Sequence, residues 1–114
     1  MRPQEERRAK NEALFREVNE SVAEVVMHFL GDGESQTEPI GFICECGRSD
    51  CVEPITMTLD EYEAIRAEPI HFAIAPAHEW LQIESVVERH SSYFVVEKRD
   101  EEAQAVARET DPRR

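Results

Sequence analysis

The chain lacks the features that mark several large classes of protein. None of its 114 residues lies in an apolar run of about 20, the length that spans a bilayer as a helix. No apolar stretch follows the charged start Met1-Arg-Pro-Gln-Glu-Glu-Arg-Arg8, so a secretory signal is not expected. Basic residues are scarce, with 13 Lys and Arg against 25 Asp and Glu and a formal charge of -12. Non-specific nucleic-acid binding needs cations to displace the counterions on phosphates, so it is not expected here. The chain has no G-x-G-x-x-G, no P-loop, no nucleophile elbow, no metalloprotease H-E-x-x-H and no zinc-deaminase pattern. Only three cysteines are present, an odd number that rules out a complete internal disulfide framework.

What remains is a chain of one domain's length, 40% hydrophobic, enough for one modest core. With no signal and no membrane span expected, the reading is a cytoplasmic protein. In that compartment thiols stay reduced, and clustered cysteines point to metal binding or catalysis rather than disulfides. The acidic excess is uneven: residues 32–69 carry ten acidic and two basic groups, around the cysteines. In its simplest form this is a solvated face, and in its functional form a docking surface for a basic partner.

The spacing predicts a long helix over residues 4–30. Phe15, Val18, Val22, Val25 and Phe29 recur at alternating steps of three and four, and Leu14, Val26 and Leu30 widen that seam. The seam would face the chain's own sheet or, in the second reading, a partner or dimer helix. Gly31-Asp-Gly33 is the expected stop, because glycine tolerates the left-handed cap, and a polar linker follows over 32–38. Ile40, Phe42 and Cys44 alternate as a strand, and Ile55 and Met57 suggest a second. Thr58-Leu-Asp-Glu61 is a capping box opening a helix over about 59–67, which Pro69 ends. Ile70, Phe72 and Ile74 alternate as a third strand closed by Pro76. The runs 82–89 and 93–98 suggest a hairpin around His90-Ser-Ser92, although Trp80, Ile83 and Val87 would also suit one helix face. Residues 100–114 read as a polar tail, a frayed helix or disordered.

The chemistry concentrates in Cys44-Glu-Cys46-Gly-Arg-Ser-Asp-Cys51. Two cysteines two residues apart on an extended backbone share a face, and Gly47 lets the chain turn to bring Cys51 back. Three thiolates are soft donors suited to zinc, which takes four ligands in a tetrahedron. The fourth must come from elsewhere. His28 sits near the end of the first helix and His90 at a hairpin tip, so both are poorly placed. His78 follows Pro76-Ala77 where the third strand ends; parallel pairing of the first and third strands would bring it to the cysteine loop. His78 is therefore favoured, with His71, water or another donor as alternatives. The competing reading is three buried apolar thiols, but Cys46 and Cys51 lie in a polar loop. Glu45 and Glu79 invite a catalytic role, yet Glu45 should point to the face opposite the cysteines.

The ordered set Asn11 to Glu20, Phe42-Ile-Cys-Glu-Cys46, Cys51, Thr58 to Tyr62, Phe72-Ala-Ile-Ala-Pro-Ala-His78 and Tyr93 to Lys98 resembles a family of small uncharacterised bacterial proteins. That family carries a Phe-x-Cys-Glu-Cys…Cys…Pro-Gly-His pattern. The resemblance covers about residues 8–98 and implies that Cys44, Cys46, Cys51 and His78 belong to one site. Here Ala77 stands where the pattern has glycine.

The expected fold class is α+β: a long N-terminal helix (1–31) packed on a small mixed β-sheet, with a short capped helix and a zinc-stabilised loop (32–99), then the tail (100–114). The expected function is that of a regulatory or adaptor protein with structural Zn2+. It would meet another protein through the acidic 32–69 face or the first helix's seam, with self-association as one form. The alternatives are a thiol-based redox sensor that releases zinc on oxidation, and a zinc-dependent hydrolase or deaminase.

Overall fold

The computed structural model describes residues 2–30 and 38–113 and has the expected α+β architecture. Helix α1 (Pro3–Leu30) comes first, then β1 (Pro39–Ile43) and β2 (Pro54–Thr58), then α2 (Leu59–Arg66). Strands β3 (His71–Ile74), β4 (Glu84–Arg89) and β5 (Phe94–Lys98) follow, and α3 (Glu101–Glu109) closes the fold. The expected Gly31–Gly33 stop, most of the 32–38 linker and the Leu30 side chain lie outside the description. Among the described residues no helix is long and apolar enough to cross a membrane.

Local chemistry explains the elements that sequence makes plain. Thr58 accepts from the Glu61 amide at 3.1 Å while the Glu61 carboxylate accepts from the Thr58 amide at 2.8 Å, completing the capping box of α2. Phe42 of β1 stacks on Tyr62 of α2, ring centroids 4.6 Å apart. Around that pair Ile55, Met57, Leu59, Ile65, Phe72, Ile74, Val95 and Val96 form one buried core.

The strands do not form the single mixed sheet expected. β1 pairs antiparallel with β2, and a second antiparallel sheet has the order β3-β5-β4, with a bulge between Val86 and Glu88. Short connections favour this outcome, since hairpins need only a few residues while a parallel pair needs a crossover. β1 and β3 nevertheless meet just past the end of β1, where the Glu45 amide donates to the Ala73 carbonyl at 2.9 Å.

Helix α1 turns the opposite face inward from the one its apolar periodicity suggests. Ala9, Glu12, Arg16, Asn19, Glu20 and Ala23 are buried, whereas Leu14, Val18, Val25 and Phe29 are exposed and Phe15, Val22 and Val26 are half-buried. The helix is latched by polar bonds. Arg16 donates to the carbonyls of Pro69 and Ala107, both at 2.6 Å. The Asn19 amide behaves as a short piece of strand, accepting from the Ile43 N–H at 3.0 Å and donating to its carbonyl at 2.9 Å. Lys98 bridges Glu12 at 2.6 Å and Glu84 at 2.7 Å, and Arg66 bridges Glu20 at 2.9 Å and Asp111. Removing one partner from such a buried pair costs about 3–5 kcal/mol, because the other charge is left uncompensated.

Residues 100–113 are a docked part of the fold rather than a tail. Asp100 caps α3 by accepting from the Ala103 amide at 3.1 Å, and Ala103 and Ala107 are buried. Beyond the helix, Arg113 donates to Glu20 at 2.8 Å and Glu63 at 2.7 Å.

Candidate metal centre

The sheet arrangement brings the end of the β1–β2 hairpin against the end of β3. Cys44 extends the hairpin, its amide donating to the Glu53 carbonyl at 2.9 Å. Gly47, at φ 81°, then turns the chain into the loop that carries Cys51. A Cβ on Gly47 would also sit 2.6 Å from the Arg8 carbonyl oxygen and 2.5 Å from Glu12 Cγ, so α1 crosses the loop where only glycine fits. The contact is tied down by Arg8 Nε donating to the Cys46 carbonyl at 2.8 Å and Asn11 Nδ2 to the Gly47 carbonyl at 3.0 Å. Arg8 stacks on Trp80, its guanidinium carbon 4.2 Å from the ring centroid.

Within this frame Cys44, Cys46, Cys51 and His78 converge, with their three sulfurs and one ring nitrogen all within 4.8 Å of one another. His78 Nδ1 lies 3.6 Å from Cys44 Sγ and 3.5 Å from Cys51 Sγ. Metal bonds of about 2.3 Å to sulfur and about 2.0–2.1 Å to nitrogen give a tetrahedron whose S–N edge is about 3.6 Å. The donors are therefore spaced as ligands of one ion. Cys44, Cys46 and Cys51 are buried, and the His78 side chain is 22% exposed. Cys51 and His78 line a surface cavity of about 440 Å³ with Arg48, Asp50, Val52 and Glu53.

The surroundings complete the donor set. His78 Nε2 lies 3.1 Å from Glu53 Oε2, so a carboxylate orients the ring and leaves Nδ1 to face the sulfurs. The Ala75 amide donates to Cys44 Sγ at 3.1 Å, and the Arg48 and Glu53 amides donate to Cys46 and Cys51. Packed against one another, the three thiols hold their protons unequally. A hydrogen bond from Cys44 draws Cys46 down to about 4. Cys44 is pushed well up by giving that bond and by burial, and Cys51 is raised chiefly by burial. A cation would relieve this competition by taking up the charge of all three thiolates.

The other histidines are engaged elsewhere. His71 faces Glu97, its cross-strand neighbour, at 3.0 Å. His90 bonds Glu88 at 2.9 Å and stacks on Tyr93, while His28 lies edge-on to Phe29. Glu45 is fully buried and bonds Asn19 at 2.7 Å and the Ala73 amide at 2.9 Å, so it joins α1 to β3. Sequence reasoning did not find Glu53, and its only signal was its position two residues after Cys51. Ala77, before His78, adopts φ 68°, the left-handed conformation that glycine takes without strain. The ten acidic residues of 32–69 do not share one role: Glu45 is interior, Glu53 holds His78, Glu61 caps α2 and Glu63 pairs with Arg113.

No protein-family model, curated protein or solved structure matches the chain.

Proposed function

We propose that this chain is a small zinc-binding regulatory or adaptor protein in which the metal is structural and the work is done by contact with another protein. The observation that carries the reading is the closed set of four protein donors, Cys44, Cys46, Cys51 and His78, with His78 oriented by Glu53. Three sulfurs and an imidazole are a soft donor set that suits zinc over magnesium or calcium. A hydrolytic centre needs an open ligand position, and here four protein donors already account for a tetrahedron. The Phe-x-Cys-Glu-Cys…Cys…His pattern would then be a ligand signature. Because the cysteine loop is bonded to α1 through Arg8 and Asn11, zinc would hold the helix and its outward apolar face in place.

Structural zinc contributes on the order of 10 kcal/mol, comparable with the whole stability of an ordinary domain. Elemental analysis of the purified chain is expected to give one zinc per molecule, and chelation to abolish the cooperative fold seen by circular dichroism. Cys46→Ser and His78→Ala should lose the metal, and His71→Ala should keep it. A chain that holds no metal and folds normally in chelator would overturn the proposal.

The cavity beside Cys51 favours one second reading, a redox sensor, because a small oxidant could reach that sulfur. One peroxide would oxidise two of the thiolates to a disulfide, being itself reduced to water, and the metal would leave for want of ligands. Zinc release by stoichiometric peroxide, reversed by a thiol reductant, would support that reading, and retention would dismiss it.

A further inference from the structure

The geometry points to a second copy of this chain as the partner of α1, docked antiparallel along its outward face. This rests on the adaptor reading and names its partner. Leu14, Val18, Val25 and Phe29 are 54%, 41%, 55% and 78% exposed. At 100° per residue they fall within an arc of about 60°, forming one stripe about 24 Å long. The face that docks on the chain's own core, Glu12, Arg16, Asn19 and Ala23, lies on the other side of the helix. The stripe therefore contributes nothing to the core, and helix propensity does not account for it, since valine and phenylalanine are indifferent helix formers.

A two-fold contact requires that if one residue meets a second, the second meets the first. Leu14 and Phe29 lie equally far on either side of the midpoint between Ser21 and Val22, as do Val18 and Val25. Antiparallel pairing about that midpoint sets Leu14 against the other copy's Phe29 and Val18 against its Val25, each contact occurring twice. Opposed helix dipoles favour the same sense.

The area suits a reversible contact. The four side chains expose roughly 450 Å² per copy, and with Ser21, Val22 and His28 added, two copies bury somewhat over about 1,000 Å². That is the lower end for a specific interface, so association in the micromolar range is expected.

The test is sedimentation velocity on the metal-loaded full chain from about 1 to 200 µM, with metal content measured on the same samples. The expected result is a reversible monomer–dimer equilibrium. Val18→Glu should weaken it at least tenfold while leaving metal content and circular dichroism unchanged, because the side chain is on the surface. Adding Val25→Lys to Val18→Glu sets opposite charges across an antiparallel pair but like charges across a parallel one. The double variant should therefore dimerise more tightly than the single variant. A wild-type chain that stays monomeric at 200 µM would overturn the proposal and leave the stripe to a different partner. So would a Val18→Glu dimer as tight as wild type, or a double variant no tighter than the single one. A zinc-loaded monomer would sink only the self-pairing, whereas a metal-free folded chain would sink the adaptor reading whatever its mass.

Discussion

The buried triad of Glu12, Lys98 and Glu84 makes folding stability depend on pH in a direction the structure sets. Lys98 Nζ donates to Glu12 at 2.6 Å and to Glu84 at 2.7 Å, and the Trp80 amide donates to Glu84 as well, also at 2.6 Å. One cation thus serves two buried carboxylates, and Glu12 relies on Lys98. Burial raises the Glu12 carboxyl from 4.5 to about 7, Lys98 opposes that rise, and Glu84 adds to it. A carboxyl whose pKa is raised on folding binds a proton in the native state that the unfolded chain has lost. Its stabilising effect is therefore complete below about 4.5 and gone above about 7. At 1.36 kcal/mol per unit, wild type should lose about 3 kcal/mol from this group between pH 5 and 8. Glu12→Gln keeps an acceptor for Lys98 but cannot ionise, so it should lack this part of the slope. The assay is urea unfolding of both metal-loaded proteins across that range, where ionisations they share cancel in the difference. Parallel profiles, or a wild type that gains on the variant as pH rises, would refute the reasoning.

Three further predictions follow from the metal centre. Ala77→Gly relieves a left-handed alanine that costs about 1–2 kcal/mol, against glycine's entropic cost of about 0.5–1, so thermal unfolding should rise by a few degrees; a lower midpoint would show that the turn is not strained. Glu53→Ala frees His78 Nε2 and should weaken metal affinity about 10- to 100-fold in competition with a chelator, and an unchanged affinity would reduce Glu53 to a surface residue. Metal uptake at pH 7 should release about two protons, because Cys44 and Cys51 are raised and Cys46 is already a thiolate. Calorimetry in buffers of differing ionisation enthalpy measures that number, and no release would contradict the thiol assignment.

Much of this fold was legible because the interactions that specify it are short in sequence. The Thr58–Glu61 box closes within one helical turn, and β4–β5 is a hairpin whose strands are joined by a few residues. The same holds for the three cysteines, which fall within eight residues. His78 was legible for a partly different reason from the true one. It reaches the cysteines through the meeting of two antiparallel sheets at Glu45 and Ala73, not through parallel pairing of β1 and β3. The role of 100–113 was hidden because α3 docks by two alanines and by charges, and such a segment reads as solvated. Its one local signal was Asp100, a good N-cap residue.

What the sequence determined alone, then, is which residues share a face, where helices begin, and which donors stand close enough along the chain to bind one ion. The direction that the long helix turns was decided only in the tertiary structure. Periodicity places Leu14, Val18, Val25 and Phe29 together without saying whether that stripe points in or out. The inward face was selected by partners far along the chain: Arg16 reaching Pro69 and Ala107, Asn19 completing the bonds of Ile43, and Glu12 meeting Lys98. Buried backbone and charge must be satisfied wherever they occur, and losing several such partners at once costs more than leaving a few apolar side chains in water. Here that requirement outweighed the apolar stripe, and it left the stripe outside.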